Sequence, residues 1–292
     1  MKKTLKKKLQ YLGLFSPIKK LLSRIGLIND FSQSKIKSKV NNLDTFLLQI
    51  GNASVTFDTS DIYSNNWFYP RYTNTIHEPI ASGLFVKYVK NNSVVFDIGA
   101  HIGYFTCLAA AIAKSGQVHA FEMDDKCKNI IERNIEINRF TNVKLNNVAV
   151  SNKAGQIKIP HLNQPSPGLS IKRVSGQFDT VASVSIDSYI SENNLIPDFI
   201  KIDVEGAEWM VLQGMKGMLQ KIRPILLIEF HIEILAFDYD TNYQHILKFL
   251  SELGYQLFLL TEYRESREEQ LIRIKVGDNL EGNPMILCLQ SN

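Results

Sequence analysis

Six side chains able to bind charge or move a proton stand where short apolar runs end: Asp97, Glu122, Asp203, Glu205, Glu229 and His231. Val94-Val95-Phe96 precedes the first, Val118-His119-Ala120-Phe121 the second, Phe199 to Ile202 the third, and Ile225 to Ile228 the pair at 229 and 231. Such β-branched and aromatic runs read as strands. In an open α/β sheet, ligands bind beyond the carboxyl ends of the strands, so all six should face one crevice. Side chains two apart on a strand share a side, so Glu229 and His231 can point together, as can Asp203 and Glu205 if the chain stays extended through Val204. That set suits removal of a hydroxyl proton: His231 is the first choice of base because an unperturbed histidine titrates near neutrality. Asp203 is the second, with Glu205 and Glu229 in support. A strand-end His231 simply hydrogen-bonded to Glu229 is the competing reading. The same oxygen and nitrogen donors would also suit magnesium or manganese, but the scheme adopted expects no metal.

The element that would put a ligand beside them is the turn after Asp97. Ile98-Gly99-Ala100-His101-Ile102-Gly103 links a strand to a helix-forming stretch, Cys107 to Ala113. A strand that turns through glycines into a helix offers free N–H groups and a positive helix end. Glu122 closes the next strand about 20 residues on, where nucleotide-binding folds place the acid that holds ribose hydroxyls. The glycines follow G-x-x-x-G rather than G-x-G-x-x-G, which favours a nucleoside without a diphosphate and argues against a nicotinamide-dependent oxidoreductase.

Asp97 to Gly103 with Glu122 resembles the binding loop of class I S-adenosylmethionine-dependent methyltransferases. Phe199-Ile200-Lys201-Ile202-Asp203-Val204-Glu205-Gly206-Ala207-Glu208 resembles the signature of the FkbM family within that class, and Val184 to Tyr189 and Ile228 to His231 fit it too. The similarity runs from about residue 76 to residue 235. It implies a Rossmann-like, doubly wound α/β fold: a mostly parallel seven-stranded sheet with an antiparallel last strand. It also implies S-adenosylmethionine held by Asp97, Gly99, Ala100, His101, Gly103, Glu122, Met123 and Asp203, with Asn147, Val148 and Ala149 near the adenine and Glu78 near the amino acid end. The activity implied is O-methylation of a small-molecule or saccharide hydroxyl, on a sugar, glycan, glycolipid or secondary metabolite. The alternatives are the oxidoreductase, or a non-catalytic cofactor-binding protein on the same scaffold.

With 45% hydrophobic and 21% charged residues, the chain has ample material for a core and no disorder signature. The net charge of +4 is uneven: Lys2, Lys3, Lys6, Lys7, Lys8, Lys19, Lys20 and Arg24 all precede the first acid, Asp30. The remainder is slightly acidic, which argues against nucleic acid as a partner. Residues 1–45 read as a basic helical extension and linker, in which residues 2–24 would make peripheral contact with an anionic membrane surface. Residues 46–292 read as the methyltransferase domain, with a hairpin and aromatic loop over 46–75 and a catalytic core from 76. The loop rings Trp67, Phe68, Tyr69 and Tyr72 either hold substrate or close the edge of the core. Three scattered cysteines form no C-x-x-C, and no apolar run approaches the ~20 residues of a bilayer span. The expectation is a cytoplasmic protein, peripheral at the inner face of the membrane; nothing in the sequence speaks to its oligomeric state.

Overall fold

A computed structural model describes residues 37–41, 44–69, 76–166, 176–264 and 271–290. The basic N-terminal segment and Tyr72 lie outside them, as does the side chain of Trp67. Strands β1 (Lys37–Asn41), β2 (Thr45–Ile50) and β3 (Ala53–Asp58) form an antiparallel sheet. The expected hairpin is present, turning at Gly51 with φ +56°, and residues 37–41, expected to be linker, add a third strand to it. Alternation puts Phe46, Leu48, Val55 and Phe57 on the buried face. After a π-helical turn (Ser64–Phe68) come α1 (Pro79–Tyr88), β4 (Val94–Ile98), α2 (Tyr104–Ile112), β5 (Gln117–Phe121), α3 (Asp125–Asn138) and β6 (Val143–Asn146). Next are β7 (Ala149–Val150), β8 (Gly155–Pro160), β9 (Phe178–Val184), α4 (Ile186–Asn193), β10 (Phe199–Ile202), α5 (Glu208–Gln213), α6 (Lys216–Lys221) and β11 (Ile225–Glu229). The chain ends with α7 (Ile232–Tyr239), α8 (Tyr243–Glu252), β12 (Tyr255–Leu260), β13 (Leu271–Ile274) and β14 (Met285–Gln290).

The main sheet has eight strands in the order β13-β12-β14-β11-β10-β4-β5-β6. Strands β11, β10, β4, β5 and β6 run parallel, and β14 enters antiparallel between β11 and β12. Seven strands match the expectation. The eighth, β13, comes from the charged stretch after β12 and pairs with that strand's open edge, where unpaired backbone groups invite a partner. Successive residues feed opposite faces of the sheet. Val95 and Phe199 join a core with β2, β3, α1 and α2, while Phe96, Ile98, Ile200 and Ile202 join a second core with α4 to α8.

Strand β7 leaves the main sheet and pairs with β9 in a small separate sheet. Helices α5 and α6 are separated at Gly214, where a Cβ would stand 2.1 Å from the Ser151 carbonyl oxygen. One local expectation differs. Strand β11 ends at Glu229, so His231 leads into α7 rather than standing within a strand.

Candidate active site

Parallel pairing fixes the level of the acids. Ile98 on β4, Ile202 on β10 and Ile228 on β11 are in register, so Asp203 and Glu229 emerge at the same edge of the sheet. Beyond that edge lies a cavity of about 420 Å³. Its wall includes Gly99, His101, Glu122, Met123, Val148 and Ala149 on one side. Glu78, Asp203, Glu205, Glu229 and His231 line the other. The remaining expected contacts stand behind the wall. Asp97 is 1% exposed and accepts a 2.6 Å hydrogen bond from the Thr106 hydroxyl, bracing the loop from within. Ala100 packs with Ala120 and Ile131, Gly103 has Ile131 close above it, and Asn147 donates to the Glu122 carbonyl oxygen.

The loop's shape is enforced. Gly99 has φ +82°, and a Cβ there would stand 1.8 Å from the Asp203 carbonyl oxygen, so only glycine lets the two strand ends come this close. Glu122 accepts from the N–H groups of His101 at 2.7 Å and Asp124 at 2.9 Å. Burial nevertheless pushes its carboxyl up to about 7, against those donors. His101 is pushed down to about 4 by burial and lies 2.8 Å from the Tyr63 hydroxyl. The imidazole is therefore neutral near pH 7.

On the other side, charges crowd together. Lys201, 3% exposed on β10, places its Nζ 2.9 Å from Asp203 Oδ2. Burial works against the Asp203 carboxylate, but Lys201 and then His231 outweigh it and hold that group at about 2. The turn after Asp203 puts Glu205 at φ +50° and Gly206 at φ +99°, which returns the Glu205 carboxylate toward His231. Around His231, Glu205 Oε2 is 3.2 Å from Nε2, and Asp203 Oδ1 and Glu229 Oε1 are each 4.0 Å away. Behind it, Nδ1 is 2.8 Å from Oε1 of the fully buried Glu208, which also accepts from the Gly206 N–H at 2.9 Å. Burial alone would lower the proton affinity of His231, but hydrogen bonds to Glu205 and Glu208 raise it to about 11. Glu229 takes hydrogen bonds from Tyr263 and Arg264, and burial followed by the nearby Asp203 pushes it up to about 7. Glu78, pushed up to about 8 by burial and then by Glu229, leaves Oε2 without a hydrogen-bond partner among the described residues.

Lys201, Glu208 and Arg264 were not anticipated. A lysine inside the apolar run Phe199 to Ile202 was a visible signal, and Glu208 closes the motif already singled out. Arg264 had none, because it reaches the wall from the connection after β12. Phe68 is 4% exposed and packs with Tyr69 at the core edge, the second of the two roles considered for this loop, while also lining the cavity.

A doubly wound sheet with its ligand crevice at the carboxyl ends, an antiparallel strand beside β11 and a glycine loop facing an acid define a class I methyltransferase fold. The FkbM methyltransferase domain matches residues 97–257, more than half of the chain. The chain belongs to the FkbM methyltransferase family. A curated relative, the hexuronic acid methyltransferase AglP of Haloferax volcanii, is 27% identical over 153 residues, covering 51% of this chain and 60% of the relative. The chain thus spans less than two thirds of that protein's length. Among solved structures, methyltransferase FkbM from Methylobacillus flagellatus is 19% identical with a TM-score of 0.44, over 68% of this chain and 44% of that one. The fibrillarin pre-rRNA processing protein of Methanococcus jannaschii is 12% identical with a TM-score of 0.43, over 88% and 99% of the two chains.

Proposed function

We propose that the protein is an S-adenosylmethionine-dependent O-methyltransferase acting on a hydroxyl of a sugar, glycan, glycolipid or secondary metabolite. One observation carries the reading: a single cavity is lined both by the Gly99 turn with Glu122 and by Asp203, Glu205, Glu229 and His231, groups able to handle a proton. The residues present suit the cofactor. Glu122 faces the cavity as an acceptor for ribose hydroxyls, Val148 and Ala149 give an apolar edge for a base, and the unpartnered Oε2 of Glu78 suits an ammonium group. When bound, S-adenosylmethionine supplies a sulfonium methyl that an acceptor oxygen takes by in-line displacement, the C–S electron pair staying on sulfur.

The chain's own task is placement and proton removal. Holding the acceptor in line is worth roughly 7–11 kcal/mol in well-oriented systems, and accepting its proton contributes roughly 10²–10⁴-fold. The hydroxyl would lie against Asp203 and His231, and its proton would leave toward the Asp203 carboxylate. The hydrogen bonds to Glu205 and Glu208 already hold His231, the first choice of base from the sequence, in its protonated form. The relative from Haloferax volcanii, named for a hexuronic acid, favours a saccharide acceptor. The basic residues 2–24 favour one presented at the inner face of an anionic membrane, and deleting them should abolish vesicle binding.

The test is calorimetry with S-adenosylhomocysteine and with NAD, followed by transfer of labelled methyl to uronic acid-bearing and neutral glycans. Binding of S-adenosylhomocysteine alone, with label entering a glycan in the native chain but not in Asp203→Asn, is the expected result. Binding of NAD instead would restore the oxidoreductase reading.

A further inference from the structure

We propose that Asp203, Glu205 and His231 form a site for one divalent cation of the hard, oxygen-preferring kind, magnesium or manganese. The inference rests on the transferase reading only for what the ion would do, not for where it would sit. One ligand atom from each residue lies within 4.8 Å of the others. Two ligand atoms about 2.1 Å from an octahedral cation stand about 3.0 Å apart when adjacent and about 4.2 Å apart when opposite. The distances of 3.2 Å from Glu205 Oε2 to His231 Nε2 and 4.0 Å from Asp203 Oδ1 to the same nitrogen fit that span.

The cluster is built as ligating histidines are built. His231 has its Nδ1 on Glu208, which is fully buried, and turns Nε2 toward the cavity. A carboxylate behind the imidazole fixes the ring and strengthens its front nitrogen as a ligand once a cation displaces the proton that nitrogen shares with Glu205. Glu208 alone already supplies a counter-charge for a protonated imidazole. Oxygens of Asp203, Glu205 and Glu229 converge on the front nitrogen. Lys201 pairs with Asp203 and Arg264 with Glu229, which leaves Glu205 and Glu208 as two carboxylates against one imidazole. Across the same cavity, Glu78 is 4% exposed and its Oε2 has no hydrogen-bond partner among the described residues. Asp203 and Glu205, each with a side chain 24% exposed, leave the point open to an ion arriving through the cavity.

A cation here would stand beside the acceptor hydroxyl and lower its pKa. The combination of two carboxylates and one imidazole favours magnesium or manganese over softer metals.

The experiment titrates manganese(II) chloride into the full-length chain, following free ion by electron paramagnetic resonance, with S-adenosylhomocysteine binding measured in parallel by calorimetry. The expected result is one manganese per chain. Glu205→Gln should weaken that binding at least about tenfold, and Glu208→Gln about 10–100-fold, both with S-adenosylhomocysteine affinity retained. His231→Gln serves as the third variant wherever it folds. Manganese left free by a chain that binds S-adenosylhomocysteine, or bound equally well by the Glu205 and Glu208 variants, would overturn the site. Manganese bound and lost in Glu205→Gln, by a chain that ignores S-adenosylhomocysteine, would uphold the site and remove the transferase reading instead.

Discussion

The two sides of the cavity are built on different physics. Around β4 and β5 the backbone does the work: a glycine in a left-handed conformation, N–H groups turned onto Glu122, and a histidine that burial keeps neutral. Around β10 and β11 side chains do it: Lys201 against Asp203, and His231 among Glu205, Glu208 and Glu229. A nucleoside is held by shape and a few directed hydrogen bonds, which a rigid loop supplies. A proton in transit, or a cation, needs charge, and charge at low exposure persists only when each group is matched to another. The first side should therefore fail through sterics and the second through electrostatics.

The largest effect is expected on the charged side. Lys201→Met keeps the volume of the stem but leaves Asp203 and Asp97 without their buried cation, so chemical denaturation should show a loss of about 3–5 kcal/mol. A loss below about 1 kcal/mol would mean that solvent already screens this group. On the shape side, Gly99→Ala must push back the Asp203 carbonyl oxygen and hold alanine at φ +82°. It should cost about 3 kcal/mol and remove S-adenosylhomocysteine binding. Gly277→Ala is the control: its φ is +93°, yet nothing lies within 4 Å of the added Cβ, so only the conformational cost of about 1–2 kcal/mol remains. Equal losses at the two glycines would erase the distinction between the sides.

How much of this could be read in advance follows the same division. The strand runs, the Gly99 turn and the level of Asp203 and Glu229 were readable because parallel strands with period-two alternation set them locally. The hairpin at Gly51-Asn52 was readable for its turn chemistry. The destination of Asp97 was not: its type and spacing match a ligand-facing acid, but Thr106 draws it inward. The break at Gly214 depends on Ser151, and the reach of Arg264 on the path after β12; both are contacts between distant segments that leave no local pattern. Glu205 was expected to share a side with Asp203 along an extended strand. It meets His231 instead because the chain turns through φ +50° at that residue. The same side chains thus meet by a different backbone path.

The smallest effect tests Glu122, the carboxylate that faces the cavity on the shape side. Burial raises Glu122 to about 7 from its ordinary 4.5, so the folded chain holds that proton more tightly than the unfolded one. Stability from this group is fully present below about pH 4.5 and declines as pH rises toward about 7. Binding through ribose hydroxyls runs the opposite way, because it requires the ionised acceptor. S-adenosylhomocysteine affinity should therefore fall about tenfold from pH 8 to pH 6, about 1.4 kcal/mol, over the same upper range in which the free chain gains stability. In Glu122→Gln, calorimetry should show weaker binding with this component of the pH dependence gone, and the stability gain on acidification through that range should shrink. An unchanged slope would shift the titration to another group at the cavity, and the shape side would then owe its pH response to the charged one.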